Sequence, residues 1–269
     1  MTLIRRSATR TILSGAEKTH LTDTPNADTL AFNLTTSSEF YVGFKQKFCA
    51  RYFAMGAVNS VASVVTVKYW DGSTWSAVKD LIDQTVGFTK SGFISWMNED
   101  DWTKKNISPI TDEDEELYWI QITVSVNLHA STTLQAVLNL FCDDDLLAQY
   151  YPELISDSRW LPEDQTTFLS QYVAAKDLVV TRLKKGADPL IKDESEIIDP
   201  NVVALAAVHA AAYIIRFPVA ESDEDRAKLN SIREEMDNEI NLISIAVDSD
   251  NSGEITDGEK QTGQYFRAR

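Results

Sequence analysis

Near Cys142 the apolar pattern of this chain changes period, and that change constrains the fold more than any other feature. Before it, runs rich in aromatic and β-branched residues alternate between apolar and polar positions. Examples are 40–44 (Phe40 to Phe44), 64–70 (Val64 to Trp70) and 118–125 (Tyr118 to Ser125). In the last run Tyr118, Ile120, Ile122 and Val124 form one apolar face, opposite Trp119, Gln121, Thr123 and Ser125. Period two is the signature of a strand with one buried face. Asp71-Gly72 between Trp70 and Trp75 marks a hairpin. Many short strands at this spacing predict a two-sheet sandwich.

After Asp143 the apolar positions recur at steps of three and four, the spacing of helices. The punctuation predicts a first long helix from Pro162-Glu163-Asp164 to Lys185, closed by Gly186. Asp199-Pro200 opens a second, Val202–Phe217, which is alanine-rich and apolar nearly all round. Such a helix belongs at the centre of its bundle. Ser222 caps a third, with Asp225 placed for a capping box and Leu229, Ile232, Met236, Ile240 and Ile243 as its apolar stripe. The expected fold class is therefore α+β with two segregated domains. An N-terminal antiparallel β-sandwich spans 1–142, with its core at about 28–142, and a C-terminal α-helical bundle spans 143–247.

Two short segments follow. Residues 248–259 fit the twelve-residue calcium loop of an EF-hand. Asp248, Asp250 and Ser252 stand at positions 1, 3 and 5, Gly253 at the sharp turn, and Glu254 offers a carbonyl at 7. Thr256 is at 9 and Glu259 supplies the bidentate carboxylate at 12. Ser252 departs from the commoner Asp or Asn. The third helix would enter this loop directly, and a bound Ca2+ would order the tail. A plain acidic turn is the alternative. The tail 260–269 ends Gln264-Tyr265-Phe266-Arg267-Ala268-Arg269, basic and aromatic on an acidic chain.

Composition narrows the functions. The chain has 269 residues, 43% of them hydrophobic, enough for real cores, and a formal net charge of −16. That charge repels phosphate backbones and anionic lipid, which excludes a basic DNA-reading groove. No uninterrupted apolar run looks long enough to cross a bilayer, and Arg5, Arg6 and Arg10 interrupt any leader. A soluble protein made in the cytoplasm is expected. Cys49 and Cys142 lack a CxxC partner and read as reduced thiols, although a single disulfide stays open.

Catalysis is not expected. His20, His129 and His209 are scattered over different elements, and His209 reads as a packing residue. No nucleophile-elbow, zinc-protease, P-loop or dinucleotide motif occurs. The acidic triplet Asp143-Asp144-Asp145 reads as a solvated helix start rather than a metal site. Trp70, Trp75 and Trp102 are candidates for a glycan platform, with core packing as the competing explanation.

The ordered set Tyr69-Trp70-Asp71-Gly72-Ser73, Trp75, Gly87 to Gly92, Ile94-Ser95-Trp96, Asp101-Trp102 and Tyr118-Trp119-Ile120 resembles a jelly-roll or discoidin-like β-sandwich module of tailed-bacteriophage structural proteins. The second half is similar to the head–tail connector, or adaptor, family of those phages. The matching features are the acidic start and Tyr-Pro-Glu-Leu segment at 143–154, a helix of about twenty residues, an Asp-Pro-capped alanine-rich helix, and a long final helix. The resemblance implies a non-enzymatic virion protein at the head–tail neck, joining portal to tail. Its partners would be the portal protein, neck or tail-completion proteins, and itself as a ring, a dodecamer in the family. It also implies that 264–269 dock on the portal, that Ala204, Ala207, Ala210 and Ala211 pack between ring neighbours, and that DNA passes without specific binding. A glycan-binding or decorating virion protein is the alternative.

Overall fold

A computed structural model of the chain describes residues 9–22, 29–108, 116–161, 165, 167–185, 189–197, 199–246 and 260–262. The fold is α+β, with antiparallel sheets and several helices. The chain divides into two compact units, Met1–Asn139 and Leu140–Arg269.

The first unit is built from two antiparallel sheets. One holds β1 (Arg10–Leu13), β2 (Ala16–Glu17), β4 (Phe40–Phe44), β6 (Val65–Trp70), β7 (Trp75–Ala77), β10 (Lys104–Lys105) and β11 (Leu117–Val124). Its order is β2-β1-β4-β11-β6-β7, with β10 also on β11. The other holds β3 (Leu30–Ala31), β5 (Ala50–Ala57), β8 (Lys79–Asp83), β9 (Gly92–Met97) and β12 (Thr133–Leu138), in the order β3-β12-β5-β9-β8. A one-turn helix, α1 (Thr19–Thr22), lies between β2 and β3 in sequence. Phe40, Val42, Val67, Ile120 and Ile122 of the first sheet share one core with Phe53, Ile94, Leu134 and Val137 of the second. Strand β6 keeps its period, with Val65, Val67 and Tyr69 buried and Thr66 exposed. The Trp70–Trp75 hairpin forms as expected, and Trp70 pairs with Trp75.

Strand β11 departs from its predicted single apolar face. Trp119 and Gln121 on the other face are buried as well, at 1% and 4% exposure. A second small core explains it: Ile12, Leu117 and Trp119 cluster there, flanked by Tyr41, Trp75 and Ile107. The Trp119 ring lies flat on Gly43, where an added Cβ would come within 2.6 Å of it. Its indole N–H donates to the Lys105 carbonyl at 2.8 Å.

The second unit contains α2 (Asp144–Tyr150), α3 (Pro152–Ser156), α4 (Leu169–Leu183), α5 (Asn201–Arg216) and α6 (Asp223–Leu242). The acidic triplet does open a helix, as expected, with Asp145 exposed, but its first two members are not simply solvated. Asp143 is buried and caps α2, accepting from Leu146 N at 2.9 Å, and Asp144 accepts from the Tyr172 hydroxyl at 2.5 Å. Helix α4 starts at Leu169, later than predicted, and Pro162–Asp164 and Gly186 lie outside the described residues. Helix α5 is the central helix: α4 and α6 both pack along it and barely touch each other. With its following turn, α5 spans Asn201–Val219, 19 residues that are long and apolar enough on average to cross a membrane, although His209 and Arg216 interrupt the apolar run. Half of that window is buried inside the protein, as a bundle-centre helix must be. Helix α6 carries the predicted capping box of Ser222 and Asp225, and buries Leu229, Ile232, Met236 and Ile240.

Helix α6 does not run into the acidic segment. It ends at Leu242, Ile243 turns extended, and β13 (Ser244–Ala246) pairs antiparallel with β14 (Lys260–Thr262).

Candidate functional site

The hairpin β13–β14 brings the two ends of the acidic segment together, with Ala246 opposite Lys260 and Ser244 opposite Thr262. The expected entering helix is thus replaced by a strand, because Ile243 takes φ −61 and ψ 125 instead of continuing α6. The proposed ligands Asp248, Asp250, Ser252, Glu254, Thr256 and Glu259 lie outside the described residues, as do Gln264, Tyr265, Phe266, Arg267, Ala268 and Arg269 of the tail. Among the described residues, no group of three or more His, Cys, Asp or Glu is arranged to hold a metal.

The alanines expected between ring neighbours are placed differently. Ala207, Ala210 and Ala211 are 0% exposed and Ala204 is half-buried. The surface of Ala207, Ala210 and Ala211 is spent on packing inside the protein, so these three hold no free face for another copy, and only Ala204 stays partly exposed. Small side chains let flanking helices approach closely whether the neighbour is intramolecular or not, and sequence could not tell which.

The three tryptophans do not form one platform. Trp102 is a core residue at 2% exposure, and its indole N–H donates to the Trp119 carbonyl at 3.2 Å. Trp70 and Trp75 are half-buried on their hairpin, ring centroids 5.6 Å apart at 64°. The Lys105 ammonium sits 3.2 Å above the Trp70 ring centre and 5.5 Å from that of Trp75. A cation on a ring face is an attractive contact that a stacking sugar must displace. Trp75 also meets Tyr41, whose hydroxyl donates to Glu39 and accepts from Gln121 at 3.2 Å. Burial and the Glu39 carboxylate push the Tyr41 phenol up to about 12, so it is neutral at physiological pH. Asp71 shapes the turn below, accepting from Ser73 N, Thr74 N and the Ser76 hydroxyl. Those bonds hold its carboxyl well below the usual range.

The helical unit contains a polar centre that the sequence did not announce. Tyr151, at the α2–α3 junction, places its hydroxyl 2.6 Å from His209 Nδ1 on α5 and 3.2 Å from Glu235 on α6. His209 Nδ1 is 3.6 Å from that same carboxylate oxygen. One tautomer satisfies all three groups: Nδ1–H donates to the phenolic oxygen, whose own proton goes to Glu235. Burial holds His209 below its ordinary value, against the pull of Glu235 and Glu239. Burial and then Glu235 push the Tyr151 phenol up. These contacts tie the α2–α3 junction, α5 and α6 together. His209 is a packing residue, as its place in the alanine-rich helix predicts, at 7% exposure. Glu235 had no signal, since it sits beside the apolar stripe like any surface acid.

Neither cysteine is in a disulfide. Burial pushes the Cys142 thiol up, so it is an inert apolar group.

No protein-family model matches this chain, and no curated protein matches it either.

Proposed function

We propose that this chain is a structural, non-enzymatic protein of a tailed-bacteriophage particle, a head–tail connector at the neck. The observation that carries the proposal is the pairing of a two-sheet unit with a bundle in which an Asp-Pro-opened, alanine-rich α5 is flanked by α4 and the capped α6. That order of helices is the pattern on which the connector resemblance rests. In this reading the two-sheet unit is a jelly-roll or discoidin-like sandwich, segregated from the bundle. Copies form a closed ring, because head-to-tail interfaces whose rotation closes give rings. The portal and the neck or tail-completion proteins are the neighbours, and the tail 264–269 docks on the portal. The net charge of −16 lets DNA pass without being held. A structural Ca2+ is bound by 248–259, clamped by the β13–β14 hairpin in place of two helices.

A glycan-binding or decorating role is a second reading, favoured by the half-buried Trp70 and Trp75 on one hairpin. The copies of this chain per particle, measured by quantitative mass spectrometry against the portal, test the first. A ratio near one to one is expected. Many copies per portal would place the protein on the capsid or tail surface and favour decoration, and none would remove it from the particle altogether.

A further inference from the structure

One end of the β unit carries an apolar surface without carboxylates. Four loops meet there: 33–38, 58–64, 84–91 and 125–132. Asn59 is the hub, at 2% exposure. Its amide Nδ2 donates to Gly87 O at 2.9 Å, its backbone N to Phe88 O at 2.8 Å, and its Oδ1 accepts from His129 N at 2.9 Å. The Ser63 hydroxyl donates to Val126 O at 3.0 Å, Leu128 N to Leu34 O at 2.8 Å, and Thr36 N to Asn127 Oδ1 at 2.9 Å.

Two properties set this end apart. None of the four loops contains an Asp or Glu, although the chain has 41 of them. The bordering acids are engaged: Asp83 accepts from Thr85 N and Gly87 N, and Glu39 from Tyr41 and Gln121. The same loops expose Val58, Val64, Val86 and Val126 at 50%, 67%, 62% and 46%. Elsewhere valines of this unit, such as Val42, Val65 and Val67, are core.

The presentation of Val86 is also costly. Val86, Gly87 and Phe88 take φ of 52, 67 and 65 in succession. The left-handed region costs an L residue roughly 1–2 kcal/mol, and a β-branched one is a true outlier there. Gly87 is required, since a Cβ would collide with the Ser63 carbonyl. Asp83, Thr85 and Asn59 hold this backbone, and the outcome is an apolar side chain aimed at solvent. Folding alone gains nothing from it.

We propose that this end is where two copies of the chain meet. Each copy carries −16, so copies repel, and most of their surface would bring carboxylates within a Debye length of one another. The acid-free end is the approach that avoids this. Exposed valines ringed by Ser37, Ser60 and Ser131, with Lys90 the one lysine or arginine of the four loops, also match an interface core free of carboxylates within a polar rim. This contact is independent of the ring proposed for the helical unit.

The test is hydrogen exchange of the full chain at low and high protein concentration, with sedimentation velocity in parallel. Protection of 58–64, 84–91 and 125–132 is expected to rise with concentration together with a larger species, and added salt should strengthen it by screening the like charges. Val64→Asp with Val86→Asp should weaken the association about tenfold or more. Should the aspartates disturb folding, Val58→Ser with Val126→Ser makes the same test at two exposed positions. Loops whose protection ignores concentration overturn the proposal, and so does a larger species that persists undiminished in both variants. Association through the helical unit would instead protect 201–242 and survive these changes, so the two ideas fail separately.

Discussion

Gly43→Ala is the sharpest test of how the first sheet is covered. A methyl at this position would lie 2.6 Å from two atoms of the Trp119 ring and 2.8 Å from a third. Carbon atoms pack at about 3.5–4.0 Å, so the ring must retreat by about 1 Å. It has nowhere to go: Trp119 is 1% exposed, and its N–H is bonded to Lys105 O at 2.8 Å. Overpacking of this kind costs about 1–3 kcal/mol. Replacing a strand glycine by alanine returns roughly 0.5–1 kcal/mol of backbone entropy. A net loss of about 1–2 kcal/mol is expected, or a fall in Tm of about 3–8 °C. Urea unfolding followed by tryptophan fluorescence reads it, because five of the six tryptophans lie in this unit. Trp119→Leu should cost about 3 kcal/mol alone through its cavity. The double variant should recover about 1–2 kcal/mol relative to the sum of the singles. A neutral Gly43→Ala, or strict additivity, would refute the packing argument.

The joint at His209 gives a pH dependence of known sign. Its folded pKa lies below the ordinary value, so its contribution to stability is complete above about pH 6.5 and is lost as pH falls through the folded value. His209→Gln should flatten the urea midpoint between neutral and mildly acid pH, and an unchanged slope would show that other groups govern it. Ser222→Ala removes the hydroxyl that accepts from Asp225 N at 3.1 Å and should cost about 1 kcal/mol, read as a lower thermal midpoint with unchanged m value. Lys105→Met uncovers the Trp70 face, 3.2 Å below the ammonium, and should alter tryptophan emission while costing about 0.5–1 kcal/mol. Trp102→Phe should leave any sugar affinity of that hairpin untouched, since Trp102 is core. A lost affinity would restore it to the platform.

The sequence by itself determined the periods, and with them the classes of element. Alternation built β6, and the three-and-four spacing placed the buried stripe of α6 at Leu229, Ile232, Met236 and Ile240. Caps were equally legible, because Ser222 and Asp225 act on backbone groups within one turn. These are local matters, decided by atoms close in sequence. Tertiary structure decided what each face meets. Trp119 has a polar-face position and lies buried because Gly43, far away in sequence, leaves room for its ring. Ala207 and Ala211 face their own bundle, a choice identical side chains would not reveal. The residues just before the acidic segment form the strand 244–246 where a calcium-loop pattern implied a helix, since pairing with 260–262 is a non-local contact. Tyr151, His209 and Glu235 meet across three elements, and no spacing along one chain encodes such a meeting.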